Sequence, residues 1–434
     1  MTRLGVIGLA ALVACGGSET AGSASAGSAA SAKVSVAEAP VAKERPPGKL
    51  RGILMSQAQF VKGAAGKTSP GPAKLVLWRT DGDGGWWDEI IEDPGSNVFH
   101  KAIGYRDGLL TIAAGQIPKE GETPAPAQMR HWKHDGTSWA ATTLVEAKWG
   151  GRFQRFRDFE FGDFNADGTP EIAISTHDMG VVMVASEGAD GAWSAQQMDE
   201  KPDTFVHEIE VGDVDGDGAK EFYCTPSDRN RSSGESQPGS VARYDLKDGK
   251  YVRSWVAQWE HSHAKEILVA DVDGDKRDEL YVVREGHVVK EGGTTKLTDP
   301  VQILRMDPGP EGWTETIVAS LEGESQTRFL VPGDVDHDGK TDLVAAAMKT
   351  GLWVLKRSDD GKFTSTVIDP NSGGFEHATH VADLDGDGKV EIYVAADKQR
   401  EVRRYLWNGA TFDKVRIGAI PEKHITWNLQ DGTF

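Results

Sequence analysis

Cysteine is nearly absent from this 434-residue chain: Cys15 and Cys224 are the only two. That is too few for a disulfide-built scaffold. Cys224 sits in an apolar run, EFYCT, where a small buried hydrophobe is expected rather than a reactive thiol. The apolar stretch near the amino terminus, Leu4 to Val13, is too short for a membrane-crossing helix, which needs about 20 residues. Basic residues are outnumbered, 48 Lys and Arg against 67 Asp and Glu, for a net charge of −19. Such a balance argues against general nucleic-acid binding, which requires neutralisation of phosphates. No Ser-His-Asp arrangement, phosphate-cradling glycine loop or HExxH zinc pattern is visible.

What is present is a nine-residue acidic stretch in five copies, at intervals of about 50 to 60 residues. They read DFNADGTPE from Asp163, DVDGDGAKE from Asp213, DVDGDKRDE from Asp271, DVDHDGKTD from Asp334 and DLDGDGKVE from Asp383. Positions 1, 3 and 5 offer side-chain oxygens, position 7 a backbone carbonyl and position 9 a carboxylate able to bind through both oxygens, a set of hard ligands that suits Ca2+. The expected ligands are therefore Asp163, Asn165, Asp167, Thr169 and Glu171; Asp213, Asp215, Asp217, Ala219 and Glu221; Asp271, Asp273, Asp275, Arg277 and Glu279; Asp334, Asp336, Asp338, Lys340 and Asp342; and Asp383, Asp385, Asp387, Lys389 and Glu391. About five calcium sites follow. Asn165 leaves the first loop one carboxylate short, so weaker binding is expected there. Glycine occupies the sharp turn at position 6 in four loops; Lys276 takes that place in the Asp271 loop, at a cost of roughly 1–2 kcal/mol. Each loop is followed by a β-prone run (EIAIST, EFYCT, ELYVV, DLVAAA, EIYVAA) and preceded by another. No amphipathic helical period of ten or more residues flanks any of them, so the loops join strands, not helices. Acidic turns without metal are the plainer reading of any single copy. Five in register, each with its ninth-position acid, favour the ion.

Residues 1–14 have the organisation of an export signal: Arg3, a short apolar core, then LVAC. Leu12, Val13, Ala14 and Cys15 resemble the bacterial lipobox. That likeness implies lipidation of Cys15 and anchoring in the bacterial envelope, with the outer membrane expected and the periplasmic or surface-facing side open. An ordinary secretory signal is the alternative. Residues 15–48, rich in Gly, Ala and Ser and then Pro, are expected to form a flexible tether, and 49–434 the folded domain.

A second signature is a β-prone arm, a glycine turn and an aromatic shortly after it, recurring around Trp86, Trp139, Trp193, Tyr251, Trp313, Phe363 and Phe412. Packing between repeats is the expected use of these aromatics. Together the two signatures predict an all-β fold: a seven-bladed β-propeller of four-stranded antiparallel blades. Five blades carry the acidic loops. A sixth, around Val98 to Ala114, has a shortened loop without the acids. The seventh is a closing blade shared by the N- and C-terminal strands: HITWNL would supply its inner strand, and Leu50 to Ile91 the other three.

These residues resemble the FG-GAP/VCBS repeat family, whose best-known member is the integrin α propeller. The likeness rests on the nine-residue loops and on Phe161-Gly162, with Val211-Gly212 and Pro332-Gly333 as weaker echoes; the GAP triplet is missing. The resemblance implies a structural role for calcium on one face and ligand approach from the other. The longer connections Ser56 to Pro72, Gln116 to Ala127, Ser227 to Gly239 and Arg284 to Pro300 are expected on the ligand-facing rim.

Six residues before the first aspartate of each loop stand Arg157, His207, Lys265, Arg328 and His377, all basic, with Arg155 and His263 two residues earlier on their strands. On inner strands these form a ring at the channel mouth, a candidate site for an anionic glycan or protein ligand. The bland alternative is that they balance neighbouring acids such as Asp158, Glu208 and Glu266. The function expected is a ligand-binding, adhesion or interaction module of the cell envelope. A polysaccharide lyase or other sugar-processing enzyme is the alternative, with a purely structural envelope subunit as a third. No catalytic residue is assigned; contact with the membrane is expected through the lipid alone.

Overall fold

The computed structural model describes residues 48–62, 68–116, 123–150, 153–177, 179–200, 204–230 and 233–434, together with Pro46 and the two-residue strand Ala37–Glu38. The export signal, Cys15 and most of the expected tether lie outside the described residues. Among the described residues every regular element is a strand, and no helix is long and apolar enough to cross a membrane.

One pattern of pairing repeats along the chain. Arg155–Gly162, Glu171–His177, Val182–Glu187 and Trp193–Asp199 pair antiparallel, each with the next. The same meander runs from Thr204–Gly212 to Lys250–Trp259, from Ala264–Ala270 to Gly312–Leu321, from Thr327–Gly333 to Phe363–Asp369 and from Thr379–Ala382 to Phe412–Ala419. Ser96–Tyr105 to Trp139–Ala147 follows it too. The remaining group is assembled from both ends of the chain. The last strand, His424–Thr433, pairs antiparallel with Arg51–Lys62, which continues to Ala73–Thr80 and Trp86–Asp93.

The first strands of these groups, hereafter the inner strands, lie side by side in chain order from Ser96–Tyr105 to Thr379–Ala382. His424–Thr433 then lies beside Ser96–Tyr105 as well as beside Thr379–Ala382. The period-two pattern of the sequence explains the layers. Inner and second strands are almost wholly buried, while fourth strands such as Trp193–Asp199 are mostly exposed.

The hairpin aromatics pack where neighbouring groups meet. Trp313 meets Tyr223 edge-on with the ring centroids 6.2 Å apart, and Phe363 meets Tyr281 at the same 6.2 Å. Tyr251 reaches Phe164 of the preceding acidic loop, and Trp86 reaches Tyr393. Each aromatic sits at or beside the start of a fourth strand, so the glycine turn before it aims the ring backwards onto the previous group. The apolar residue at the second position of every acidic loop, Phe164, Val214, Val272, Val335 and Leu384, is likewise buried.

The connections differ from expectation at three places. The Ser56 to Pro72 segment is not a plain loop: its strand runs on to Lys62, and Thr68–Pro70 folds back on it. The Arg284 to Pro300 segment carries its own hairpin, His287–Glu291 with Thr294–Asp299. Ala37–Glu38, inside the expected tether, pairs in parallel with Val415 and Arg416.

Candidate metal loops and channel site

Each acidic loop links an inner strand to its second strand, and all five share a backbone scheme. The amide at position 6 donates to Oδ2 of the first aspartate at 2.9–3.0 Å: Gly168 to Asp163, Gly218 to Asp213, Lys276 to Asp271, Gly339 to Asp334 and Gly388 to Asp383. The amide at position 7 donates to the position-5 aspartate, as Thr169 does to Asp167 and Lys389 to Asp387. Lys276 adopts φ 74°, the left-handed geometry that glycine takes in the other four loops. The Asp271 loop therefore keeps its shape despite the lysine.

The acids converge in four of the five loops. One oxygen each from Asp213, Asp215, Asp217 and Glu221 lies within 4.8 Å of the others, and the same holds for Asp271, Asp273, Asp275 and Glu279, for Asp383, Asp385, Asp387 and Glu391, and for Asp334, Asp336 and Asp342. Buried oxygens Asp213 Oδ1, Asp336 Oδ1 and Asp342 Oδ2 have no hydrogen-bond partner among the described residues. Unmet buried acceptors facing other carboxylates are what a divalent cation would satisfy, so these four loops fit one. The Asp163 loop is not among the convergent groups. Asn165 instead donates its amide to Glu171 Oε1 at 2.7 Å, closing the loop without an ion.

Protein cations steady the ninth-position acids from behind. Arg243 contacts Glu221 at 2.9 Å and Asp215 at 2.6 Å, and Arg404 contacts Glu391 at 2.9 Å. Tyr223 and Tyr393 donate to the other carboxylate oxygen of Glu221 and Glu391, at 3.1 and 2.8 Å. Burial, reinforced by nearby loop acids, still pushes Glu221, Glu279 and Glu391 up to about 7 and Asp342 up to about 6. Between pH 4.5, the ordinary glutamate value, and about 7, the folded chain without metal binds protons that the unfolded chain has lost. The stability that these acids contribute without metal therefore falls as pH rises through that window, while the buried histidines His207, His263 and His377 act in the opposite sense below the ordinary histidine value. In urea unfolding with EDTA, Glu221→Gln and Glu391→Gln are expected to raise the midpoint more at pH 7.5 than at pH 5; an equal change at both pH values would mean that these acids do not feel their burial.

The basic residues six places before each loop share an unanticipated geometry. Strand registry skips Arg157, Lys265 and Arg328, and skips His207 with Glu208, so each basic residue lies in a β-bulge of its inner strand. His377 precedes its strand with φ 58°. A bulge re-aims its extra side chain, here toward residues of other groups, as Arg157 toward Glu376 and Arg328 toward Glu285. His100 and Trp427 occupy the equivalent bulges of the two groups without acidic loops. The sequence reading missed both because it counted back from acids that those groups lack. The turn at Arg106, six residues after His100, was the available signal.

All seven expected site residues are buried: Arg155, Arg157, His207, His263, Lys265, Arg328 and His377. Some of them meet partners from other groups. Arg157 pairs with Glu376 at 3.2 Å and lies over the Trp427 ring, its guanidinium carbon 5.3 Å from the centroid. Arg328 pairs with Glu285, which His263 also approaches at 3.4 Å. Arg155 meets His177 at 2.8 Å, and His177 lies against His207 with 5.4 Å between ring centroids. Lys265 donates to Asn230 at 3.0 Å. His377 is held by Ala347 O of the preceding group and by Ser372 Oγ of its own loop, both at 2.8 Å, and burial draws it down to about 4. Burial first, then Lys265 and other nearby cations, keeps His207 and His263 well below the usual histidine range.

The acids beside these cations have other work. Asp158 accepts the amide of Ile209 at 3.1 Å, and Glu266 that of Leu330 at 2.9 Å, so each ties its inner strand to the next. Lys101 reaches Asp158 at 2.9 Å and also Glu160. Burial alone would lower the Lys101 ammonium, but these carboxylates hold it well above the usual lysine range. Glu208 and Glu210 are pushed well up by burial and by the acids around them. The inner strands thus bring a set of buried cations and histidines beside a set of crowded carboxylates.

This arrangement defines an all-β, propeller-like repeat protein. Residues 334–394, from the Asp334 loop to the strand after the Asp383 loop, match the FG-GAP-like repeat, so the chain carries that repeat. The chain is 28% identical over 247 residues to the rhamnogalacturonan exolyase YesX of Bacillus subtilis strain 168. The match covers 46% of this chain and 39% of that protein, so the chain spans well under half the length of this curated relative. Among solved structures, a putative 6-phosphogluconolactonase from Bacteroides fragilis superposes with a TM-score of 0.54 at 14% identity, covering 88% of this chain and 98% of that one. A protein from Lactobacillus plantarum gives 0.53 at 12% identity, covering 88% and 100%. At these identities the structural likeness concerns the fold alone.

Proposed function

We propose that the chain is a calcium-stabilised, seven-bladed propeller, closed by a blade from both chain ends, that binds an anionic ligand at its channel mouth. It serves as an interaction module of the bacterial envelope, held there by lipid on Cys15. Support for closure comes from His424–Thr433, which pairs with Arg51–Lys62 and lies against inner strands on both sides. Asp213, Asp215, Asp217 and Glu221 would hold one calcium ion, with corresponding sets in the Asp271, Asp334 and Asp383 loops. The bound ion clips an inner strand to its second strand. The observation that supports ligand binding is the set of bulges at Arg157, His207, Lys265 and Arg328, near which His207 Nδ1 and Nε2, Glu376 Oε1 and Trp427 Nε1 have no hydrogen-bond partner among the described residues.

The test is retention on immobilised polygalacturonate at 1 mM calcium, compared with a neutral galactan. Retention of the wild type and its loss in an Arg157→Ala, Arg328→Ala double variant are expected; equal passage over both columns would defeat the reading. A second reading, a polysaccharide lyase, is favoured by the likeness to the rhamnogalacturonan exolyase. In that case a base such as His207 takes a proton while Lys265 or Arg328 neutralises a uronate. Unsaturated product that disappears in His207→Ala would establish it, whereas retention without product supports the binding module.

A further inference from the structure

The Asp213 and Asp271 loops are joined directly. Asp278 Oδ2 accepts the backbone amide of Asp213 at 2.9 Å and Lys220 Nζ at 3.1 Å. Arg277 Nη2 donates to the carbonyls of Val214 and Asp215, at 3.4 and 3.3 Å. Glycines leave room for both side chains: a Cβ on Gly216 would lie 2.8 Å from Arg277 Nε, and one on Gly212 would lie 2.7 Å from Asp278 Oδ2. Arg277 and Asp278 are positions 7 and 8 of the Asp271 loop, and what they hold are positions 1, 2, 3 and 8 of the Asp213 loop. The Asp334 and Asp383 loops meet more lightly, through His337 Nε2, which lies 3.2 Å from Val390 O.

We infer that Asp278 and Arg277 are positioning residues for the calcium ion of the Asp213 loop, so that an ion in either loop tightens binding in the other. The inference deepens the calcium reading above and rests on it. Position 7 of the Asp271 loop would supply its carbonyl to the ion there, and Glu279 its carboxylate. An ion so held fixes the backbone on both sides of Asp278, and with it the roots of the Arg277 and Asp278 side chains. Their far ends hold the amide of Asp213, the first ligand of the neighbouring site, and the carbonyl of Asp215, the second. Without an ion, one oxygen from each of four carboxylates lies within 4.8 Å of the others in either loop, and their repulsion opposes the closed shape. A loop already held by its neighbour has less freedom to lose when its own ion arrives, which is positive coupling. Mutual repulsion of the two ions acts in the opposite sense. That repulsion crosses a solvated face, where Asp217 and Asp275 are exposed, and salt screens it. The contacts through Asp278 and Arg277 are direct, so they set the sign.

Calcium titration of the full chain, with ions per molecule counted by native mass spectrometry, tests this. Glu279→Gln disables the Asp271 site, and one remaining ion is expected to need about fivefold more calcium than in the wild type. Coupling is reciprocal, so Glu221→Gln should shift one remaining ion by the same factor. Starting from Asp278→Ala, Glu279→Gln should produce no shift. Starting from Asp278→Asn, which keeps an acceptor for the Asp213 amide, the shift should survive. Should Asp278→Ala fail to fold, the reciprocal pair decides by itself. Remaining ions that bind as in the wild type in both Glu279→Gln and Glu221→Gln, or a shift that persists in full in Asp278→Ala, would overturn the inference and leave the calcium reading standing. A wild-type chain that takes up no ion at millimolar calcium would sink the calcium reading as well.

Discussion

Adding EDTA lowers the thermal unfolding midpoint by roughly 5–15 °C, and excess calcium restores it. At millimolar calcium each weak extracellular-type site contributes roughly 1–3 kcal/mol, because the ion binds the folded loop and not the unfolded chain. Four loops bring their acids together, and in the Asp163 loop Asn165 takes up the ninth-position carboxylate instead. Calorimetry should accordingly count four ions and not the five expected from the repeat alone. Arg243 and Arg404 keep the loop acids partly compensated when calcium leaves, so chelation should destabilise the fold without abolishing it. Calcium should also remove the loss of stability between pH 4.5 and about 7, since metal-bound carboxylates stay ionised. An unfolding midpoint indifferent to chelator would rule out structural metal.

Deleting residues 424–434 is expected to leave no soluble folded protein. The deletion removes the strand that pairs with Arg51–Lys62 from Gln59 back to Arg51. It also removes the buried side chains of Trp427, Leu429 and Phe434. Burying each is worth roughly 1.5–3 kcal/mol, and the strand's hydrogen bonds are lost as well. The sum rivals the roughly 5–15 kcal/mol by which a whole domain is stable. The deletion would further expose the long edge of Arg51–Lys62 and open a gap beside Ser96–Tyr105, inviting aggregation. Recovery of a monomeric deletion mutant with an unchanged unfolding midpoint would mean that the ring is not closed by its two ends.

The strand architecture was legible because its signals are local. Alternating burial, glycine turns and the nine-residue acidic stretch each depend on near neighbours, and they located the strand–loop–strand units correctly. The split group could be read as well, because HITWNL had no partner nearby in the chain and the Leu50 to Ile91 segment lacked an inner strand. The hairpin within Arg284 to Pro300 escaped because its few apolar residues do not alternate, Val288 and Val289 falling on opposite faces, and neither side is buried.

What the sequence by itself determined is the repeat: five acidic loops between β-strands, each with a basic residue six places upstream. Tertiary structure alone decided which acids converge, since Asn165 satisfies Glu171 only after the loop has closed on itself. It also decided what the basic residues face. A bulge shifts strand register by one residue, and at these bulges Arg157 meets Glu376 and Trp427, Arg328 meets Glu285, His207 meets His177 and Lys265 meets Asn230, partners contributed by other segments of the chain. Spacing along a strand records which residues share a face; which groups meet across a channel depends on how the strands are brought around it.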